Sequence, residues 1–553
     1  MSEPPPTGGR LAAATLRAAG IETLFGLPGS HVNLLLKEAE PAGIRTIYVR
    51  HEENAVLMAE GWALATGKPG LAVVTAGPGL SNALPGMAEA NAAGAPLVVI
   101  AGRTAIRLRG RGAVQDLEQL ASVGPLTKWR AECLTASRIP EYTVEAIRQA
   151  SWGSPGVAYL EIPEDVLADI PGEPVDDRAA LHPPARCVPE AKAVAAAVQL
   201  LESAQSPLIL AGSGAFFSGA AEEITAFVGK TGIPVATTSA ARGLIDDDHP
   251  LALGSLVHGG AAIPSADVIL LLGSRLNANL MYGGPPLFAT DQQVIQVDIS
   301  AEHLGGPRTA DLALVGDVGA TLSALSQAWA HPADRWLKWS SQALATAQAS
   351  RELWEREADG PSTGLHPGWV AREAARVFEE AGGGTWVSDG GDSVIWGIAF
   401  SKAHRPGSNM LVGSAMGTLG VGLPFATAAA LAHPEQPVCL FTGDGAFGFS
   451  AQEMHTVARH HLPVIVIVIN NGVWRGAGHS SNGGGAAVGV DYSMLGRALG
   501  GRGEQVRDNH EFAPALRRAL AAAKAGQPTV IDAVSDPKVV SSLMRSLDQL
   551  SLM

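Results

Sequence analysis

Short runs of apolar residues alternate along the whole chain with longer stretches in which apolar residues recur every three or four positions. The short runs predict strands buried on both faces, and the longer stretches predict helices, as in Asn54–Thr66 and Gly79–Ala93. This alternation is typical of parallel sheets covered by helices. The predicted strands are Glu22–Leu27, Thr46–Val49, Gly70–Thr75, Pro96–Ala101, Pro207–Ala211, Pro234–Thr238, Val268–Leu272, Val294–Val297, Gly384–Ser388, Pro437–Thr442, Pro463–Ile469 and Pro528–Ala533.

These strands fall into three groups along the chain, which indicates three α/β domains, each with a doubly wound parallel sheet. A chain of 553 residues is also too long for a single core. We expect domains at 1–170, 188–330 and 360–535, followed by a short tail at 536–553. A Pro-rich linker before Pro189 separates the first two domains.

Composition and charge narrow the classes of function. A net charge of −14 with no basic block disfavours a nucleic-acid partner. The three cysteines, Cys133, Cys187 and Cys439, are scattered, which argues against a disulfide framework or a zinc site and fits a reducing compartment. No apolar run approaches the roughly 18 residues of a membrane span, and no signal-peptide core follows Met1. We therefore expect a cytoplasmic protein without a membrane partner.

The strongest chemical pattern lies in the third predicted domain. One predicted strand ends at Gly443-Asp444-Gly445, a helical stretch follows, and the next predicted strand ends just before Asn471. A strand–helix–strand crossover brings Asp444 and Asn471 to the same carboxyl edge of a parallel sheet. A carboxylate and an amide oxygen suit Mg²⁺ or Ca²⁺. The two glycines permit close approach of a phosphate, and the helix end around Ala446 adds N–H donors.

Gly-Asp-Gly followed at this spacing by Asn-Asn resembles the cofactor motif of thiamine-diphosphate enzymes, although a lone Gly-Asp-Gly is usually an ordinary turn. The resemblance implies that Asp444, Asn471 and the backbone carbonyl of Val473 bind Mg²⁺, which holds the diphosphate of thiamine diphosphate. It extends over nearly the whole chain, in the order pyrimidine domain, middle domain and diphosphate domain.

A second motif supports the same family. The segments Arg50–Ala55 and Ala59–Ala63 resemble the stretch that carries the family's catalytic glutamate, which matches Glu52. The resemblance implies that Glu52 polarises the aminopyrimidine ring of the cofactor. The alternative is that Glu52 and Glu53 only favour a helix N-terminus electrostatically, and we retain that interpretation for Glu53.

The remaining expected contacts also come from the resemblance. Asn82 lies in a segment that lines the thiamine pocket, and Ser393 would either donate to the diphosphate or cap a helix. The loop Gly413–Gly420 resembles the one that holds the pyrimidine, through the Gly417 carbonyl and the Leu419 N–H.

The resemblance implies two more residues of the catalytic site. The segment Gly26–His31 resembles benzaldehyde lyase, in which a histidine at the position of His31 assists proton transfer. Gln115 matches a glutamine or acid that faces the cofactor in several of these families. The alternative for His31 is a surface or capping residue after a glycine turn.

Several stretches, among them Gly273–Asn277, most resemble enzymes that use coenzyme A. We therefore expect a 2-hydroxyacyl-CoA lyase, which cleaves a 2-hydroxyacyl-CoA reversibly into formyl-CoA and an aldehyde or ketone. The resemblance makes Arg275 and Asp298, and more weakly Arg242, candidates for holding ADP in the middle domain; FAD or no ligand are alternatives there.

Other functions stay open at this point. Within the family they are an oxalyl-CoA decarboxylase and a CoA-independent carboligase of the benzaldehyde-lyase or acetolactate-synthase type. Outside catalysis, the chain could be a non-catalytic thiamine-binding subunit, which has no need for an acid at Glu52. The resemblance also implies a homo-oligomer, with a tetramer expected. In the tail, Leu543, Leu547 and Leu550 share a helical face, which predicts either a docking helix or a lid over the substrate.

Overall fold

Three six-stranded sheets follow one another along the chain, and every strand pair in them is parallel. The structure, a computed structural model, describes residues 5–172, 181, 183–412, 414–474 and 489–549, without the side chains of 548 and 549. The sheets with their flanking helices confirm the predicted fold class of three doubly wound α/β domains. The predicted domain boundaries remain a prediction.

In the first sheet the connections that leave two neighbouring central strands run in opposite directions. Its strands are β1 (Thr23–Gly26), β2 (Arg45–Tyr48), β3 (Gly70–Val74), β4 (Leu97–Arg103), β5 (Trp129–Glu132) and β6 (Val157–Pro163). The strand order is β2-β1-β3-β4-β6-β5, so the order reverses between β1 and β3. Ligands of doubly wound sheets bind at such a switch point. The helices here are α1 (Gly8–Ala18), α2 (Asn33–Ala39), α3 (Glu52–Thr66), α4 (Pro78–Ala93), α5 (Gln119–Ser122), α6 (Ile139–Ser151) and α7 (Glu164–Ala168), with short 3-10 turns at Ile106–Leu108, Gly124–Leu126 and Ala136–Arg138.

The second sheet has the same architecture around its own apolar core. Its strands are β7 (Pro207–Ala211), β8 (Val235–Thr237), β9 (Ala252–Ser255), β10 (Val268–Leu272), β11 (Gln293–Asp298) and β12 (Leu312–Val315). They are arranged β12-β11-β10-β7-β8-β9, with the reversal between β10 and β7. The helices are α8 (Ala191–Ser203), α9 (Ser213–Phe217), α10 (Ala221–Thr231), α11 (Leu256–Gly259), α12 (Val318–Ala328) and the connecting α13 (Leu337–Ala358), with 3-10 turns at Ser239–Ala241, Gly260–Ser265, Ala278–Gly283 and Ala301–His303.

The third sheet contains the Gly443-Asp444-Gly445 motif, at which the sequence predicts a metal site. Its strands are β13 (Thr385–Asp389), β14 (Asn409–Leu411), β15 (Val438–Gly443), β16 (Val464–Asn470), β17 (Arg502–Val506) and β18 (Thr529–Val534). The order β14-β13-β15-β16-β18-β17 places the reversal between β13 and β15. The helices are α14 (Pro367–Glu380), α15 (Asp392–Phe400), α16 (Gly422–Ala432), α17 (Asp444–Ser450), α18 (Met454–Arg459), α19 (Tyr492–Ala498), α20 (Asn509–Lys524) and α21 (Ser542–Gln549), with a 3-10 turn at Ala451–Glu453.

The chain divides into two compact units, and α16 belongs to the first of them. That unit comprises residues 1–184 and 416–432, and the second comprises 185–415 and 433–553. Within the first unit α16 packs on α3, because Gly61 has no side chain where a Cβ atom would lie 2.8 Å from Phe425 Cα. None of the helices in the described ranges combines the length and apolar character that a membrane crossing requires.

Candidate cofactor site

The switch point of the first sheet brings together two predicted catalytic residues, His31 and Gln115. His31, which follows β1, is 4% exposed, and its Nδ1 lies 3.3 Å from the hydroxyl of Thr75 at the end of β3. The Thr75 hydroxyl lies 3.4 Å from Oε1 of Gln115 and can donate to it. His31 therefore belongs to a buried polar chain and is not the surface residue of the alternative interpretation. Gly102 allows this placement, since a Cβ atom there would lie 2.5 Å from His31 Cβ.

Glu52 opens α3, immediately beyond the end of β2, and is 7% exposed. Its Oε2 accepts a hydrogen bond of 3.0 Å from Nδ2 of Asn82, so the structure pairs two residues that the sequence analysis named separately. The other oxygen, Oε1, faces the first turn of α4, 3.6 Å from where a Cβ atom of Gly79 would lie. A buried carboxylate with one engaged oxygen can hold or exchange a proton at the other.

Two further residues, neither of them predicted from the sequence, organise this region: Thr75 links His31 to Gln115, and Gln119 supports the turn at Gly77. Gln119 is fully buried, and its Oε1 accepts from the Gly77 N–H at 2.9 Å. Its Nε2 lies 3.1 Å from Oε2 of Glu161, a carboxyl whose pKa is raised chiefly by burial. Gln119 begins α5, a helix of four residues that is too short to show a periodic signal, so nothing in the sequence could have singled it out.

The switch point of the third sheet positions Asp444. The helix begins within the Gly-Asp-Gly motif itself, since Asp444 is the first residue of α17 and Gly443 is the last residue of β15. Asp444 is 6% exposed; its Oδ1 accepts from the Gly445 N–H at 2.8 Å and its Oδ2 from the Gly472 N–H at 2.7 Å. Burial raises the pKa of Asp444, and these two backbone donors oppose that shift.

The loop after β16 therefore touches Asp444 directly, through Gly472. Asn471 is partly exposed, and its Oδ1 accepts from the Val473 N–H at 3.0 Å. The preceding Asn470 has a different role, since its Nδ2 donates to Asp532 at 2.9 Å and ties β16 to β18. The two consecutive asparagines therefore differ: the Asn471 side chain lies in the loop that contacts Asp444, whereas the Asn470 side chain binds Asp532.

The turn between β13 and α15 packs against the Gly-Asp-Gly segment. Ser393 is 7% exposed and donates from Oγ to the Asp389 carbonyl at 2.8 Å, so it does not cap α15. A Cβ atom on Gly443 would lie 3.1 Å from Ser393 Oγ, and one on Gly390 would lie 3.5 Å from Cβ of the buried Ala446. The predicted diphosphate contacts at Ser393, Gly443, Gly445 and Ala446 are consequently neighbours in space.

The predicted pyrimidine loop lies partly outside the described residues, since Gly413 is not among them. Gly417 is exposed with a φ of 65°, a left-handed conformation that suits glycine, and Leu419 is partly buried. Both residues belong to the first compact unit, directly before α16.

In the middle sheet, Arg275 follows β10 and Asp298 ends β11, so both lie at the carboxyl edge. Asp298 already has partners within the chain: Oδ1 accepts from the Ser300 N–H at 2.9 Å and lies 3.4 Å from Nδ1 of His303. Arg242, the weaker candidate, is 2% exposed and forms a two-pronged ion pair with Asp247 at 2.8 and 2.6 Å. Arg242 therefore has a partner within the chain, and a role for it in holding ADP remains a prediction.

The tail forms α21, which packs on the core of the third domain. Met544 is 4% exposed in that core, and Leu543 and Leu547 are partly buried against it. This packing is what a docking helix requires. Leu550 lies outside the described residues, and a lid role for the end of the chain remains a prediction.

The donor set at the third sheet fits a divalent cation that carries a diphosphate. Asp444 is a buried carboxylate, and in the part of the chain that the structure describes no lysine or arginine forms an ion pair with it. A bound cation would compensate the buried charge, and carboxylate, amide and backbone carbonyl oxygens are the ligands that Mg²⁺ prefers. Glu52 in turn offers a buried acid suited to a ring nitrogen.

Comparison with known proteins agrees with this geometry. Residues 6–122 match the model of the N-terminal TPP binding domain of thiamine pyrophosphate enzymes, residues 194–325 the central domain, and residues 389–533 the C-terminal TPP binding domain. The chain is 34% identical to the acetolactate synthase large subunit of Mycobacterium tuberculosis, over 96% of each chain. It is 32% identical to 2-hydroxyacyl-CoA lyase 1 of Mus musculus, over 97% of this chain and 95% of the relative. It is 29% identical to oxalyl-CoA decarboxylase of Escherichia coli, over 96% and 95%. The chain therefore belongs to the thiamine pyrophosphate enzyme family.

Proposed function

We propose that the protein is a thiamine-diphosphate-dependent carbon–carbon lyase that cleaves a 2-hydroxyacyl-CoA into formyl-CoA and an aldehyde or ketone, and that can run in reverse. The observation that carries this proposal is the similarity to 2-hydroxyacyl-CoA lyases along nearly the whole chain, in mouse and also in rice and human. The buried Glu52 beside Asn82 supports an active enzyme and disfavours the non-catalytic alternative.

The cofactor would be held by residues at the switch point of the third sheet. In this proposal Asp444, Asn471 and the Val473 carbonyl bind Mg²⁺, and Ser393 and the backbone around Gly443 and Gly445 contact the diphosphate. When bound, thiamine diphosphate supplies a nucleophilic carbon and an electron sink for breaking a bond next to a carbonyl. The protein contributes binding, orientation and control of protons.

Glu52 and His31 divide the proton control. Asn82 engages Oε2 of Glu52, so Oε1 is the oxygen placed to exchange a proton with the cofactor's pyrimidine. Nδ1 of His31 lies 3.2 Å from the Ser30 hydroxyl and 3.3 Å from the Thr75 hydroxyl; in the tautomer in which Nδ1 donates to Thr75, the single hydrogen of the Thr75 hydroxyl is available to Gln115. Nε2 of His31 then carries the lone pair and can accept a proton from the substrate hydroxyl or return it.

A CoA-independent carboligase is the second candidate, and the resemblance at the His31 position favours it, because the His31–Thr75–Gln115 chain itself fits both reactions. A histidine at this position resembles benzaldehyde lyase, and a proton carrier of this kind serves the addition of one carbonyl compound to another as well as the cleavage of a thioester substrate.

The predicted ADP in the middle domain has less support. No comparison points to it, and Asp298 is engaged by Ser300 and His303. Mass spectrometry of ligands released from the denatured protein tests it directly: an adenine nucleotide at one equivalent per chain would support the prediction, and its absence from protein purified without added nucleotide would remove it.

The reaction is tested by offering purified protein, Mg²⁺ and thiamine diphosphate four substrate sets in parallel. These are formyl-CoA with a ketone, pyruvate alone, oxalyl-CoA, and benzaldehyde alone. The proposal expects a 2-hydroxyacyl-CoA from the first set at a kcat/KM well above those of the other reactions, and loss of that product in Glu52→Gln. Acetolactate or benzoin as the main product would establish the second candidate, and carbon dioxide release from oxalyl-CoA would establish a decarboxylase.

A further inference from the structure

Ser541 connects the C-terminal tail to the first turn of α15. It is completely buried, and its Oγ donates to Oδ1 of Asp392 at 2.5 Å. Its backbone N–H lies 3.2 Å from both oxygens of the same carboxylate. Trp396 Nε1 donates to Oδ2 of Asp392 at 3.0 Å, and Met544 N donates to Ser541 Oγ at 3.1 Å. The Asp392 carboxylate therefore joins tail and α15 through a buried, charge-assisted network.

Asp392 adjoins the residues expected to face the diphosphate. It immediately precedes Ser393, and the turn from Gly390 to Ser393 packs on the Gly-Asp-Gly segment. A Cβ atom on Gly390 would lie 3.3 Å from Gly443 N, and one on Gly391 would lie 3.9 Å from Met544 Cε. The turn is consequently held between the Gly443 segment and the tail.

The tail itself is fixed firmly enough to act as a support. Glu357, at the end of α13, accepts from Ser542 N at 2.6 Å and from Ser542 Oγ at 2.7 Å. Asp536 accepts from Thr363 N at 2.7 Å and from Thr363 Oγ1 at 2.9 Å. With Met544 in the core, the segment that carries Ser541 has polar anchors on both sides and an apolar anchor beyond it.

We propose that Ser541 is a positioning residue for the cofactor: through Asp392 it sets the Gly390–Ser393 turn against which the diphosphate binds. The proposal rests on the proposed function, in which Ser393 and Asp444 hold the cofactor. It assigns the tail a task in binding, separate from a lid that closes over substrate. Loss of the Ser541 hydroxyl leaves the Asp392 carboxylate with fewer donors and lets the turn shift, whereas Glu52 and His31 are untouched.

Ser541→Ala in the full chain is the test, with thiamine diphosphate and Mg²⁺ as the probe in calorimetry. Because Ser541→Ala removes a buried hydrogen bond to the Asp392 carboxylate, we expect a weakening of about 10-fold. The apparent KM for the cofactor should rise by a similar factor, and kcat at saturating cofactor should stay near the parental value. Ser541→Thr, which restores the hydroxyl, should recover most of the affinity.

Ser546→Ala is the matched control, because Ser546 is exposed on α21, the helix that follows Ser541, and among the residues that the structure describes its Oγ bonds only to the Ser542 carbonyl. If Ser541→Ala fails to fold, Asp392→Asn, which keeps the shape of the side chain, is measured instead, with the same expectation. Parental affinity in Ser541→Ala, or in Asp392→Asn, overturns the proposal. Asp444→Ala distinguishes a failure of the Ser541 proposal from a failure of the proposed cofactor site. If Asp444→Ala also binds the cofactor at parental affinity, the assignment of the cofactor site fails. If Asp444→Ala binds more weakly, only the positioning role of Ser541 fails.

Discussion

Glu52 and Glu53 are adjacent acids at one helix end, but their surroundings differ. Glu52 bonds to Asn82, whereas the pKa of Glu53 is raised by burial, with His51 opposing the shift. We predict that Glu52→Gln binds thiamine diphosphate within a few-fold of the parental affinity, since Gln keeps the shape and can still bond to Asn82. Exchange of the cofactor's C2 proton, followed by NMR in D₂O, should slow by about 100-fold or more. Glu53→Gln is the control and should exchange at nearly the parental rate; an equal loss in both variants would contradict the division of roles.

Glu60 is a second buried acid of α3, which the proposed mechanism does not use. It and Glu89 are fully buried, and in the described part of the chain neither carboxylate has a hydrogen-bond partner. Burial, reinforced by Glu89, raises the pKa of Glu60 well above its usual value. The folded state then prefers the protonated acid, so stability is complete below the unfolded-state pKa of 4.5 and falls as pH rises toward the folded-state pKa.

Glu60→Gln should remove this loss of stability at higher pH. We predict that urea unfolding from pH 5 to pH 8 shows the variant gaining stability over the parent as pH rises, by at most about 1.4 kcal/mol per pH unit. Glu435→Gln, in an exposed turn, is the control and should track the parent. If the free energies of unfolding of Glu60→Gln and of the parent differed by the same amount at every pH from 5 to 8, Glu60 would not be held protonated in the folded state.

At the scale of elements, the packing of α16 on α3 positions the helix that begins with Glu52. Gly61 makes this contact possible: a Cβ atom there would lie 2.8 Å from Phe425 Cα and 3.1 Å from Ala428 Cβ. We predict that Gly61→Ala lowers the free energy of unfolding by about 1–3 kcal/mol, as overpacking usually does. Gly229→Ala is the control, because Gly229 lies in α10 with open space around its Cβ position, and there alanine should be neutral or stabilise by up to about 1 kcal/mol. Equal unfolding midpoints for the two variants would contradict the role of Gly61.

The sequence pattern predicted the central strands well and the sheet edges poorly. Strands β3, β7, β10 and β16 are buried along nearly their whole length, so their apolar runs are continuous. The strands that the pattern did not predict are β5, β6, β9, β12, β14 and β17, and all except β6 lie at an edge of a sheet. Edge strands are short and often half exposed, as β5, β12 and β17 are, so they show neither a continuous run nor a clear alternation.

At the scale of the whole molecule, the sequence could suggest residues for the proposed site where they are close to one another along the chain. Asp444 and Asn471 are separated by one strand–helix–strand crossover, and Glu52 follows a predicted strand. The chain from His31 through Thr75 to Gln115 joins three distant segments, and the contact of Ser541 with Asp392 spans much of the third domain. Such contacts depend on tertiary packing, so no spacing rule could have found them.

The family resemblance also predicts how the chains assemble. Glu52 belongs to one compact unit and Asp444 to the other, and the family resemblance implies that each site joins Glu52 of one chain with Asp444 of another. We therefore predict a homodimer or tetramer by light scattering. Chains with Glu52→Gln alone or Asp444→Ala alone should be inactive. In a mixed dimer of the two, one of the two sites combines both mutations and the other is intact. When the two variants are co-expressed and pair at random, half of the dimers are mixed, and one of the two sites in each mixed dimer is intact. The mixture should therefore show about 25% of the parental activity. Chains that carry complete sites of their own would give no activity in the mixture, and an active monomer would rule out sharing altogether.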